Sequence, residues 1–307
     1  MRFTFPTLHT RAHGIACVMY AVLVWSGWMI VSSYSVRGSL TAYDITAIRF
    51  GVSGLFWLPI LLRCGLSIGP LKRWGSLILA ALMGVPFNIL TVFGMKFAPA
   101  SHAAAIINTT MLTATTILSI LLLREKTTKL RVLGIVISIV GIACILLAHP
   151  IEMGSNAFIG HLFFLIGGAI WAGYVLCIKA WKADPLHAAA AVCTVSGVLY
   201  LPIYLLFIPS QIGLHNLGEV AFQALYQGIL NSVLALVLFN RAVVILGAST
   251  SSAFLPLIPA LATLLAIPTL GEMPVAMEIS GIAFAAIGVL LATGMLRARQ
   301  RISVAMT

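Results

Sequence analysis

Within runs that are otherwise almost wholly apolar, a few side chains can do chemistry. Thr109, Thr113 and Thr116 stand at i, i+4 and i+7, one face of a helix, with Asn108 beside them. Gln223, Gln227 and Asn231 keep a four-residue spacing later in the chain, and Asn88, Thr91, Ser251 and Ser252 add further amides and hydroxyls. Trp25 and Trp28 return at the same spacing as Trp171 and Tyr174. Such groups hold an organic solute by hydrogen bonds, stacking and cation–π contact. The chain has no G-x-x-x-x-G-K-[ST] loop, no H-E-x-x-H pair and no acidic cluster for Mg²⁺. Binding is therefore expected rather than catalysis, with no cofactor and no metal. The candidate solute contacts are Trp25, Trp28, Asn88, Asn108, Thr109, Thr113, Trp171, Tyr174, Gln223, Gln227, Asn231 and Ser252. Each also has a plainer reading: hydroxyls bond back to their own helix, and aromatic rings pack. Pro86, Pro256 and Pro259 remove backbone donors and are candidates for bending helices at a gate.

The elements that must position these groups are membrane helices. Hydrophobic residues make up 61% of the chain and charged ones 8%, whereas a soluble domain has roughly a quarter charged. So few charges cannot solvate a chain of 307 residues, so most of its surface must face lipid. The net charge of +11 sits in short clusters between apolar runs, which points away from nucleic acid and toward membrane topology. Runs of about 20 apolar residues place ten spans near 14–34, 42–62, 75–95, 99–122, 131–148, 157–179, 186–207, 218–240, 248–270 and 276–296. With the N-terminus inside, only Arg37, Arg49 and Lys96 of the 18 Lys and Arg fall outside, so both termini are expected in the cytoplasm. The first apolar run is too long for a signal peptide's core and reads as an uncleaved helix.

Val52-Ser53-Gly54-Leu55-Phe56-Trp57-Leu58-Pro59 returns as Val195-Ser196-Gly197-Val198-Leu199-Tyr200-Leu201-Pro202. Ala100-Ser101 returns as Ala248-Ser249, Glu125 as Glu272, and Gly134 and Gly141 as Gly281 and Gly288, all at nearly one offset. These echoes divide the chain into a tail (1–13), a five-helix repeat (14–148), an external linker (149–156), a second repeat (157–296) and a basic tail (297–307). Five is odd, so the second repeat must enter the membrane from the opposite side. The fold class is therefore all-α, with ten transmembrane helices as two inverted five-helix repeats, an architecture of secondary transporters.

In this order the motifs resemble the EamA type of the drug/metabolite transporter superfamily. Leu122-Leu123-Arg124-Glu125-Lys126 is similar to that family's leucine-rich stretch ending in Glu, and Leu270-Gly271-Glu272 to its second copy. Pro256 and Pro259 suit its ninth helix, and the tryptophans of helices 1 and 6 are similar to those of aromatic amino-acid exporters. The resemblance implies export of amino acids, related metabolites or toxic organic compounds across a bacterial inner membrane. An uptake permease or exchanger of the same fold is the alternative, and an enzyme or structural subunit stands third. The expected partners are a small organic solute and the bilayer, with a monomer as the working expectation.

Several residues are assigned plainer roles. Arg49 and Lys96 could each pair with a substrate carboxylate, but snorkelling to the interface is the simpler expectation for both, and Trp57, Trp74 and Trp181 are expected to form an interfacial belt. His102 and His161 read as isolated structural histidines, Glu125 and Glu272 as helix caps or ion pairs, and the five cysteines as small buried hydrophobes.

Overall fold

The computed structural model describes residues 10–124, 128–148, 156–247, 250–251 and 254–292. These residues form ten helical spans and no strand. They are α1 (Arg11–Arg37), α2 (Ala42–Cys64), α3 (Arg73–Met83 and Val85–Gly94), α4 (Ala100–Leu123) and α5 (Lys129–Leu147), then α6 (Asn156–Trp181), α7 (Pro185–Phe207), α8 (Leu217–Leu246), α9 (Leu257–Leu270) and α10 (Ala276–Ala292). Helices suit an apolar chain because each satisfies its own backbone groups without water. Eight are long and apolar enough to cross a membrane, while α9 and α10 are shorter apolar helices. Leu55, Leu62, Leu205 and Phe207 stand out from the bundle, as side chains that meet lipid do.

Polar residues mark the helix starts. Thr41 and Asp44 form a reciprocal capping box on α2, and Asp184 caps α7 ahead of Pro185. Gly84, ahead of Pro86, divides α3 into two helices, and the Pro86 ring itself is exposed on the outside. The α9 helix begins at Leu257, directly after Pro256. Residues 254–256 form a turn, closed by the Leu257 amide on the Phe254 carbonyl and the Ile258 amide on the Leu255 carbonyl. Pro256 and Pro259 have no N–H with which to extend an α-ladder through this stretch. In α8, residues 224–234 widen into a π-helix, a change of register that the regular spacing of Gln223, Gln227 and Asn231 did not foretell.

The packing is symmetric under exchange of the halves. The α1 helix lies on α8 and α9, and α6 correspondingly lies on α3 and α4. The self-mirroring pairs are α2 with α7 and α5 with α10. Small residues permit both close pairs. At α2–α7, Gly197 lies so near the Phe50 carbonyl that a Cβ would come within 2.6 Å of it. At α5–α10, Gly134, Gly141, Gly281 and Gly288 bring backbone against backbone. The end where α1 begins and α10 finishes is termed the terminal end, and the opposite one the far end.

Candidate functional site

Arg49 sits about two turns into α2, roughly 10 Å from the start of the helix at the far end. It does not snorkel. Its Nη1 donates to Asn88 Oδ1 on α3 (2.8 Å), and Asn88 is in turn fixed by donating its Nδ2 to Thr46 Oγ1 (2.8 Å). The guanidinium carbon lies 5.4 Å from the Trp28 ring centroid and 5.5 Å from that of Phe50. These interior contacts hold the side chain away from the interface. Among the described residues no carboxylate lies within 4 Å of it, and its Nε has no partner. An aromatic row runs from this cation across the repeats. Trp28 stacks on Phe87 (centroids 6.0 Å apart), and Phe87 meets Trp171 on α6 in a T-shaped contact (5.7 Å). The buried Trp28 Nε1 is also without a partner.

The structure thus brings together Trp28, Asn88 and Trp171 from the expected set, and adds Arg49 and Phe87. Residues Ala104–Ile107 of α4 belong to the same packed cluster. Beyond them Asn108 spends its Nδ2 on the Ala104 carbonyl of its own helix (2.7 Å), whereas Thr109 and Thr113 have buried hydroxyls without partners. On α8, Gln223 Nε2 donates to the Val31 carbonyl and Ser35 Oγ, and Gln227 Nε2 to Ser32 Oγ (2.8 Å), which ties α8 to α1. Both glutamines keep an unpartnered Oε1. Asn231 is buried further along the π-helical stretch.

Trp25 stands apart, against Phe239 (5.1 Å), and Tyr174 packs in the separate cluster between α2, α3 and α7. Pro256 and Pro259 are buried at the start of α9. Ser252 lies outside the described residues. Trp57 is not a belt residue: it is 2% exposed and donates its Nε1 to the Ser232 carbonyl of α8 (3.0 Å).

The far end is closed by ties between the repeats. Arg37 donates to Glu272 Oε1 (3.0 Å) and to the Met95 and Ala98 carbonyls. Glu272 also accepts the first amides of α4, from Ala100 and Ser101. It is therefore both cap and ion pair, and it caps a helix of the other repeat. Ser39 donates to Glu219, and Tyr204 donates to Asp44. His102 and His161 are not isolated, because they contact each other and His102 also contacts Glu278. No spacing in the sequence could have joined residues 59 and 176 positions apart.

This arrangement, an all-helical two-fold bundle with a polar and aromatic seam inside, is that of a membrane transporter. The chain belongs to the EamA-like transporter family, whose pattern fits it twice, over residues 12–147 and 158–294. It is 27% identical over 278 residues to the uncharacterized transporter YyaM of Bacillus subtilis, covering 87% of this chain and 89% of that one. It is 25% identical over 291 residues to an uncharacterized transporter of Clostridium kluyveri, covering 89% of each. A solved crystal structure superposes with a TM-score of 0.59 over 94% of this chain and 99% of the other; at 20% identity this likeness shows the fold alone. The protein is a multi-pass membrane transporter.

Proposed function

We propose that this transporter exports small organic solutes, amino acids or related metabolites, from a bacterial cytoplasm by alternating access between its two repeats. The observation that carries this reading is Arg49, an interior cation without a carboxylate partner among the described residues, set at one end of the Trp28–Phe87–Trp171 row. A guanidinium recognises a carboxylate by paired hydrogen bonds, and the rings accept a planar or apolar body. Because Phe87 and Trp171 come from different repeats, a solute on this row would touch both halves, as exchange of their positions requires.

The exchange symmetry of the packing supports alternating access. With the far end tied shut, a rocking of the repeats that opened it would close the terminal end. The proposed routes for bending are the Gly84–Pro86 break in α3 and the Pro256–Pro259 turn before α9. In this reading the terminal end, rich in Lys and Arg, faces the cytoplasm of an inner membrane, and the domain limits are those of the two repeats.

Two measurements test the proposal. A topology reporter placed after Ile151 should report outside the cell and one after Lys72 inside; the reverse result defeats the orientation. Preloaded proteoliposomes should then show saturable efflux of labelled aromatic amino acids, with threonine and cationic dyes as separate cargoes. Folded, inserted protein that moves none of them would defeat the solute assignment.

A further inference from the structure

A polar zipper joins α1 to α8. On α1, Trp28, Ser32 and Ser35 stand at i, i+4 and i+7, one face of the helix, and Ser39 follows just beyond its end. On α8, Glu219, Gln223 and Gln227 keep a four-residue spacing. The pairing runs antiparallel. Ser39 Oγ donates to Glu219 Oε2, Gln223 Nε2 donates to Ser35 Oγ (2.7 Å) and the Val31 carbonyl (3.1 Å), and Gln227 Nε2 donates to Ser32 Oγ (2.8 Å). Ser32, Gln223 and Gln227 are all fully buried. Each of the three α8 side chains nevertheless keeps one buried oxygen, Oε1, that has no partner among the described residues. Buried acceptors are normally hydrogen-bonded, because one left without a donor loses its hydration uncompensated. For Gln223 the orientation follows from chemistry: a carbonyl only accepts, so the amide nitrogen faces Val31 and the oxygen does not. The buried donors left without partners at the aromatic row are Arg49 Nε and Trp28 Nε1. The seam thus holds unused groups of opposite sense, donors at Arg49 and Trp28 and acceptors along α8.

Two contacts bring these sets to one level of the bundle. Trp28, whose ring lies 5.4 Å from the Arg49 guanidinium carbon, is one turn from Ser32, the partner of Gln227. On α2, Val52 stands one turn after Arg49 and meets Gly228, so closely that a Cβ on the glycine would come within 2.5 Å of the valine side chain. By either route Gln227 is about one turn from the cation along the bundle, roughly 5.4 Å. An α-amino acid carries its ammonium and its carboxylate on one carbon. With a hydrogen bond of about 2.9 Å at each end, it spans a gap of that size. Gln227 also lies in the π-helical stretch of α8, and such widened turns are frequent at functional sites.

We propose that Gln227 Oε1 accepts the ammonium group of the solute, so that the transporter selects α-amino acids and rejects the same molecules without their amine. The assignment rests on Arg49 binding the carboxylate, as proposed above. An ammonium has three N–H donors and no acceptor, so it takes the oxygen of an amide and has no use for the nitrogen. A site built to bond an N–H group discriminates against the analogue that lacks it, because its own polar atom is then left unpaired. A neutral amide suits the position. A carboxylate there would pair with the nearby guanidinium and compete with the solute for it. Gln223 and Glu219 continue the row of acceptor oxygens toward the far end, and they offer the departing ammonium successive partners once that end opens.

The test measures binding of three probes to the full chain in lipid nanodiscs by calorimetry. Phenylalanine carries both charged groups, 3-phenylpropionate only the carboxylate, and phenethylamine only the ammonium. Phenylalanine should bind about tenfold or more tightly than either of the others, the factor that roughly one good hydrogen bond to a charged group supplies. Gln227→Met should weaken phenylalanine and phenethylamine by about that factor and leave phenylpropionate unchanged. Arg49→Gln should do the reverse, weakening the two acids and sparing the amine. Gln227→Glu, which keeps an acceptor and adds a charge, should tighten phenethylamine and weaken phenylpropionate, and it decides the question if the methionine variant does not fold. Equal weakening of all three probes by Gln227→Met would make the zipper a purely structural tie and overturn the proposal. So would a phenethylamine affinity that Gln227→Glu leaves unchanged. Two acids that bind equally well, both through Arg49, would also overturn it while leaving the carboxylate site standing. Folded parent protein that binds none of the three would defeat the solute assignment and this proposal with it.

Discussion

Replacing Arg49 with glutamine is expected to weaken transport of carboxylate-bearing solutes roughly ten- to a hundredfold while leaving the protein folded. A hydrogen bond to a charged group is worth about 1.5–3 kcal/mol, and about 1.4 kcal/mol is a factor of ten in affinity. The loss should appear in the half-saturation concentration of efflux, and cargo without an anionic group should be little affected. Arg49→Lys keeps the charge but loses the planar fork, so it should fall between the two. Stability should move the other way or not at all. The guanidinium has one side-chain hydrogen bond, two aromatic neighbours and no anionic partner among the described residues. An unpaired interior cation costs free energy, so neutral glutamine should melt at the same temperature or higher. A variant with a lower melting point and unchanged half-saturation would make Arg49 a structural residue and remove it from the site.

Arg49 also marks where sequence reading ends. Its position in α2 was plain, but a lone arginine two turns into an apolar span has two homes, the interface or the interior. The choice depends on what other helices offer it. Asn88 and Trp28 decide it, and neither is near Arg49 in sequence. The His102–His161–Glu278 cluster was hidden for the same reason: α4, α6 and α10 meet only in the folded bundle. By contrast, the helices, their order and the repeat could be read directly. Apolar runs need no partner to declare their length, and a duplication leaves its offset in the residues themselves. The π-helical stretch of α8 was not foretold because its wider turn contains the same residue types as an α-helix. Glu272 lay between these cases: an acidic residue at a helix end reads as a cap or an ion pair, but only the fold shows that it caps the other repeat.

The second large effect is expected at the glycines where α5 and α10 meet. A Cβ on Gly281 would lie 2.7 Å from the Gly141 carbonyl and 3.0 Å from the Ile145 amide, and one on Gly141 would lie 2.5 Å from the Ala285 amide. These neighbours are backbone and cannot rotate aside, so the helices must separate. Overpacking a tight interior typically costs about 1–3 kcal/mol, and Gly281→Val should reach or exceed that range, seen as a lower melting temperature and poor yield in detergent. Gly218→Ala is the control, because a Cβ there meets nothing within 4 Å. Since Gly141 and Gly281 face each other, Gly141→Ala and Gly281→Ala together should cost less than the sum of the two singly, the first having already parted the helices. The consequence for transport follows from the symmetry. The α5–α10 pair mirrors onto itself, so it can stay joined while α1, α3, α6 and α8 change places around it. Separating it should therefore reduce transport in proportion to folded protein, unlike the Arg49 variant, which should lose affinity without losing fold. A Gly281→Val protein that melts like the parent would show that this contact is not a backbone-to-backbone seam.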